Sequence, residues 1–485
     1  MADSLRAAAE EALARLADSF VYRKLGICYD YFCPPESLPS PMLPHPKDVR
    51  QGLPNPMGLG SGMADCALNN ALLCDAYALR LEIGCGTAND ERLFDRLIGG
   101  IIRLGTIAPR NAVIRGLSPD GKSFYPQCGP LPVIHWAHSA WRAGTTPTVA
   151  CESQFKIRNI VQHWMENLEQ NAFKILNHDD AFNQGGWLSG VARPALLAMA
   201  GALTGNAKWK EQAEATLDVA SAASCPAASP GDAEALFALQ EALDLLRHAL
   251  SPRTAPRNAP EDANEAPAPA GTAHLTAIEV AMNQVAQTAA PLLKWHESFH
   301  PETLDEKPSL DWHEIKEDGA LPWPRLTHEA QAAAAPALAA VAILLAPDAK
   351  VVQAQANGLR RFLAAIPWGR LWLGRALAPV ALAHALGVEK GLWDEDLKER
   401  QPSFDGTASL VERFLDPAYD DANPGKTGHS TPAPRKEITV LYGHGGAPEK
   451  RKSHGHGHGH GKGNRPTPGM GGGPSAPAPV AAATP

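Results

Sequence analysis

"SGMADCALNNALLCDAYAL", residues 61–79, decides how this chain folds. Turned at the helical step, its apolar positions cover every side, so the segment is a helix meant for an interior. A glycine-rich approach, "NPMGLGSG" (55–62), leads into it. Yet its start carries Asp65, Asn69 and Asn70. Asp65, Asn69, Leu72 and Ala76 fall on one stripe. Two readings fit the acid. In one, Asp65 caps free N–H groups in a first turn where the helix dipole favours a carboxylate, with Asn69 as its hydrogen-bond neighbour. In the other, Asp65 lines the mouth of an internal cavity and Asn69 orients a ligand hydroxyl.

The same periodicity spreads outward from this stretch. It predicts helices near 3–19, 63–82, 90–107, 132–143, 153–171, 190–203, 206–223, 231–250, 273–294, 326–345, 349–366 and 370–386. Strand-like alternation is nearly absent. The helix at 63–82 is apolar all round. The one at 153–171 sets Phe155, Ile160, Trp164 and Leu168 on one side and charge on the other. Fully buried helices alternating with one-faced helices imply two concentric layers. Six such hairpins make an all-α (α/α)6 toroid; a solenoid of helical hairpins gives the same count.

Gly- and Pro-rich breaks fall at 33–46, 115–132, 224–232 and 251–271, the last a flexible Pro/Ala insertion. Residues 1–420 form the expected helical domain. Residues 421–485 read as a disordered Gly/Pro/His-rich tail, with one strand-like piece at 437–446.

The bulk numbers narrow the function classes. The chain has 485 residues, 44% of them hydrophobic and only 6% aromatic, enough for one large helical core. The net charge of −8 combines +5 from residue 421 onward with −13 for residues 1–420. An acidic body without a basic stripe argues against nucleic acid as a partner. No long apolar run predicts a membrane span, and the acidic amphipathic start is no secretory signal. Cysteines at 28, 33, 66, 74, 85, 128, 151 and 225 are scattered without a CxxC pair, which reads as reduced thiols in a cytoplasmic protein.

From 60 to 170 the order of segments is distinctive: "GSGMADCALNNALLCDAYALR", "LFDRLIGGIIRLGTIAP", "IRGLSPDGKSFYPQCG", then "HWAHSAWRAG" before a long helix. This order resembles the six-hairpin glycosidase-like group, with "RGLSPDGKSFYP" its most specific piece. The resemblance implies a toroid with a central funnel, a carbohydrate ligand and acid/base carboxylates at the funnel mouth.

Several residues are candidates for chemistry. Asp65 and Asp120 are the expected catalytic pair, one acting as acid and one as base or nucleophile across a glycosidic bond. "SPDG" is equally a turn signal, in which Asp120 is only a turn residue. Arg115 and Lys122 suit an anionic group, and Tyr125 suits stacking on a sugar ring. His135 and His138 stand at i, i+3 in "HWAHSAWR". They are a structural pair, or His135 and Trp141 line a pocket; no third ligand supports a metal there. "LNHDDAFNQGGW" (176–187) is a helix-capping loop or a rim loop with a third carboxylate. His296 and His300 stand at i, i+4, but Pro301 ends that helix at once. In "SHGHGHGHGKG" (453–463), His454, His456, His458 and His460 alternate with glycine, a pattern that takes up Ni, Zn or Cu.

The expected activity is therefore glycoside hydrolysis of a small carbohydrate or oligosaccharide, with no required cofactor. Asp65 and Asp120 act, and Asn69, Arg115, Tyr125, His135 and Trp141 bind. The alternatives are a polysaccharide lyase or sugar isomerase with Tyr125 or His135 as base, or a non-catalytic helical scaffold with a metal-binding tail. The oligomeric state stays open.

Overall fold

Helix follows helix in the computed structural model, which describes residues 2–31, 43–51, 62–63, 65–108, 112–125, 129–176, 182–183, 190–217, 229–251, 270–304 and 324–393. Helix α1 (Ala2–Ser19) runs into a hairpin of β1 (Val21–Tyr22) and β2 (Ile27–Cys28), and α2 (Pro46–Arg50) is a single short turn. Then come α3 (Cys66–Glu82), α4 (Ala88–Thr106), the hairpin β3 (Gly116–Leu117) with β4 (Phe124–Tyr125), α5 (Pro130–Thr145) and α6 (Cys151–Gln170). A third hairpin, β5 (Ile175–Leu176) with β6 (Phe182–Asn183), precedes α7 (Ala192–Thr204), α8 (Ala207–Thr216) and α9 (Ala233–Leu250). The last part holds α10 (Ala270–Ala289), α11 (Pro324–Glu329), α12 (Ala335–Leu344), α13 (Ala349–Ala365) and α14 (Gly374–Glu389). A π-helical turn, Ala330–Ala334, joins α11 to α12.

The opening stretch behaves as its composition demands. Every residue of α3 from Cys66 to Arg80 is buried. α12 is buried along its whole length, and α7 and α14 along nearly all of theirs. Others bury one stripe. α4 buries Leu93, Phe94, Leu97, Ile98, Ile101 and Leu104 and, apart from Asp90, leaves its charges outside. It starts with a reciprocal capping box, Asp90 N–H donating to Thr87 Oγ1 (3.2 Å) and Thr87 N–H to Asp90 Oδ2 (2.8 Å). α6 buries Ile157, Ile160, Val161, Trp164, Met165 and Leu168. Phe155, expected on that face, is 62% exposed instead. It sits five residues from Ile160, a step that turns it well off the buried stripe.

The mostly buried helices touch one another. α3 packs on α5 and α14, α9 on α5, α7 and α12, and α12 on α14. The one-faced helices cover them: α4 on α3, α6 on α5 and α7, α8 on α7, α10 on α9 and α12, α13 on α12, and α1 on α14. Trp136 of α5 locks three of these together. Its indole N–H donates to Ile101 O (2.9 Å), and its ring meets Trp164 edge-on at 5.2 Å. Removing a fully enclosed side chain such as Leu72 leaves a void and costs about 2–5 kcal/mol.

Two element ends differ from the sequence pattern for local reasons. The helix expected over 273–294 tightens to 3-10 geometry at Ala290–Ser298, because Pro291 has no N–H to donate. The helix expected from 370 begins at Gly374, after a 3-10 turn at Trp368–Arg370. The five cysteines among the described residues are free thiols, Cys28, Cys66 and Cys74 being buried. No helix among the described residues is long and apolar enough to cross a membrane. The Pro/Ala insertion from 252 to 269, the strand-like piece at 437–446 and the whole of 421–485 lie outside the described residues.

Candidate functional site

Asp65 stands at the N-cap position of α3, but its carboxylate makes no capping hydrogen bond. Its Oδ2 accepts from Arg375 Nη1 at 3.3 Å. The helix start is held by another acid. Asp30 Oδ1 accepts from the Asp65 N–H (2.9 Å) and from Asn69 Nδ2 (3.3 Å). The two amides divide the remaining work. Asn70 serves the β1–β2 hairpin, accepting from Cys28 N–H (2.9 Å) and donating to Gly26 O (2.6 Å). Asn69 is wholly buried, and no hydrogen bond reaches its Oδ1 among the described residues.

Arg375 is delivered by a clamped backbone. Glu329, at the end of α11, accepts the N–H groups of Trp372 (2.7 Å) and Leu373 (3.0 Å) with Oε2. Gly374 N–H donates to Asp30 O at 2.8 Å. A Cβ on Gly374 would lie 2.5 Å from Tyr29 O, so only glycine lets α14 begin here. Arg115 is placed the same way. A Cβ on Gly116 would come within 1.9 Å of Met63 O, so β3 presses against the approach to α3. Arg115 N–H donates to Tyr125 O (3.0 Å). The Arg115 guanidinium forms no hydrogen bond or ion pair among the described residues, and its Nε is buried. Its charge still acts on both Asp65 and Glu234.

His135 closes the group. It lies between two acids of α9, with Nδ1 against Glu241 Oε2 and Nε2 3.8 Å from Glu234 Oε1, and it stacks on Phe237 at 5.5 Å. Burial works against a charged ring, yet Glu241 and Glu234 overcome it and hold the His135 pKa at about 9. Asp65 and Glu234, the two acids nearest Arg375 and Arg115, diverge. Burial, with Glu234 adding to it, pushes Asp65 up against the pull of Arg375, Arg115 and His135. Burial pushes Glu234 the same way, but His135, Arg375 and Arg115 outweigh it and bring Glu234 down.

Burial is the largest single influence on Asp65, Glu234 and Arg375. Even so, 17%, 20% and 32% of their side-chain surfaces remain open to water. Water still reaches these enclosed groups at one partly open place, here called the recess. Asp65, Glu234 and Arg375 all sit in or beside the first turn of their helices, so α3, α9 and α14 begin there together.

The recess unites Asp65, Asn69, Arg115 and His135 from the sequence reading. Asp120 is engaged elsewhere. Its Oδ1 accepts from Lys122 N–H (2.9 Å) and Ser123 N–H (2.8 Å), and its Oδ2 from Ser123 Oγ (2.6 Å) and Arg50 Nη1 (3.3 Å). Burial opposes these donors, yet together they keep the Asp120 carboxyl below its ordinary range. Its geometry is that of a turn clamp. Tyr125 is an interior residue of β4, its hydroxyl pushed up to about 12 by burial and by Asp48. Trp141 packs within the core on α5.

One turn along α5, His138 has a separate setting. Nδ1 lies 2.7 Å from Asp75 Oδ2 and Nε2 3.2 Å from Asp244 Oδ2. The first contact misses hydrogen-bond geometry, so it is an ion pair without a directed bond. Arg142 stands 3.7 Å from Asp75, and Arg247 2.7 Å from Asp244.

His296 and His300 do not converge: His300 N–H donates to His328 Nε2 (2.9 Å), while His296 Nδ1 meets Leu293 O. No group of three or more His, Cys, Asp or Glu side chains among the described residues is arranged to hold a metal. His178, Asp179 and Asp180 of the 176–187 loop, and His454, His456, His458 and His460, lie outside the described residues.

Glu234, Glu241, Arg375 and Asp30 escaped the sequence reading. For the first two a signal existed. Glu234, Glu241 and Asp244 recur at i, i+7 and i+10 within the apolar run "AEALFALQEALDLL", where acids on a buried face need partners. No family model, no curated protein and no solved structure matches this chain.

Proposed function

We propose that the body is an (α/α)6 toroid, as the six-hairpin glycosidase-like resemblance implies, and that it hydrolyses glycosidic bonds of a small carbohydrate or oligosaccharide. Three features support the toroid. Buried and one-faced helices alternate along the chain, and the contacts among the six buried ones lead from α3 through α5, α7, α9, α12 and α14 back to α3. His135 pairs with Glu241 and His138 with Asp244 in the same order, so α5 and α9 run parallel, as inner helices of such a ring do. The starts of α3, α9 and α14 meet at one recess.

The observation that carries the activity is the pair of carboxylates in that recess, Asp65 pushed up and Glu234 brought down. Environments that split two acids in this way assign their roles. Asp65, the acid that burial raises, is the one that donates a proton to the leaving glycosidic oxygen. Glu234 stays ionised and either activates water or attacks the anomeric carbon. Glu234 thus takes the role that the sequence pattern assigns to Asp120. Neither base of the lyase or isomerase alternative is suited to accept a proton, because His135 is held protonated and Tyr125 is an interior phenol.

The test is turnover of a panel of aryl glycosides by the full chain, with Asp65→Asn and Glu234→Gln beside it. Hydrolysis lost in both variants, with melting temperatures near wild type, is the expected result. Wild-type turnover in both variants, or no turnover of any glycoside by the native chain, removes the reading.

A further inference from the structure

If the recess is a sugar site, as the hydrolase reading holds, its charges also select a class of sugar. The cationic side of the recess holds more hydrogen-bond donors than acceptors. Of the Arg375 fork, one N–H reaches an acceptor, Asp65 Oδ2 at 3.3 Å, and its Nε is buried without one. The Arg115 fork reaches none among the described residues. His135 is matched at close range by Glu241 and Glu234, and Asp65 accepts from Arg375. The starts of three helices add positive potential at the same place. A guanidinium whose Nε is buried without an acceptor is costly to keep, and its planar fork matches the two oxygens of a carboxylate.

We propose that the recess takes a uronate, a sugar whose own carboxylate docks on Arg115 with Arg375 as the neighbouring donor. This rests on the sugar-site reading above. Arg115 is then the residue that separates acidic from neutral sugars. Asp65 and Glu234 act on the bond beside it.

The experiment is calorimetric titration of the full chain with glucuronate and galacturonate, and with glucose, galactose, glucose 6-phosphate and acetate. Uronates should bind roughly tenfold or more tightly than the neutral sugars, and acetate should bind far more weakly than either uronate. Arg115→Gln should bring the uronate-to-neutral ratio down to about one while neutral-sugar binding persists. Arg115→Lys keeps the charge and loses the fork, and should lose most of the preference; it carries the test if the Gln variant does not fold. Equal binding of uronates and neutral sugars overturns this inference and leaves the sugar site standing. So does a uronate preference untouched in both variants, or glucose 6-phosphate binding as tightly as glucuronate. Acetate binding as well as glucuronate, or no binding by any sugar, overturns the sugar reading with it.

Discussion

His135 and His138 stand one turn apart on α5, both enclosed and both set against acids of α9. Both rings are held protonated by carboxylates that outweigh burial. By type, depth and charge state they are alike. They differ in what surrounds the pair. Around His138 each charge meets its opposite: Asp75 faces His138 and Arg142, and Asp244 faces His138 and Arg247. Around His135 the pairing stops short, because Arg115 has no counter-charge in ion-pair range among the described residues and water reaches Asp65, Glu234 and Arg375. Burial and a shifted pKa therefore do not tell the two places apart. Whether the pairing closes does.

That contrast can be broken at several points. The largest effect is expected at the open end, where Asp65→Asn or Glu234→Gln should lower glycoside turnover about a thousandfold, read as initial rates. At the closed end, His138→Ala leaves Asp75 and Asp244 facing one another and should cost about 3–5 kcal/mol in urea unfolding, with turnover per folded molecule kept. If that variant unfolds with wild-type stability, the closed network is not what holds α3, α5 and α9 together.

The third effect is a pH dependence. His135 rises from an ordinary 6.5 to about 9 in the fold. A raised pKa stabilises fully below 6.5, and the contribution is lost as pH climbs through about 9. The loss amounts to roughly 3 kcal/mol at most. His135→Asn and His138→Ala should each reduce the slope of unfolding free energy across that window, and the double variant should flatten it. The smallest effect is at Asp120. Asp120→Asn weakens a turn clamp and should cost about 1 kcal/mol, with turnover unchanged. A large loss of turnover there would move the second carboxylate back to the "SPDG" turn.

Much of the architecture was legible because it is periodic. The all-round apolar 63–82 and the one-faced 90–107 announced α3 and α4 to within a few residues. Asp65 and Asn69 were legible because polar groups on a buried helix must answer to something. Arg115 and His135 stood out through a distinctive loop and an i, i+3 pair. Arg375 and Glu234 were not legible, since each gains its meaning from a partner far along the chain and looks locally like an ordinary first-turn charge. Asp120 is a different case. Its local pattern is strong, and turn formation satisfies all of it. Phe155 misled through a hydrophobic match taken one step off the helical stripe.

The Asp65–Arg375 ion pair spans 310 positions of sequence. During synthesis, α3 emerges early, while the arginine that answers its carboxylate is still to be polymerised. Until then Asp30 holds the helix start, but Gly374 has not yet arrived to lean on its carbonyl. The recess is thus among the last parts of the body to be completed, and a chain arrested before α14 would carry its acids without their cation. Such a nascent chain can build helical hairpins in turn and still lack one side of the recess until translation has run past Arg375.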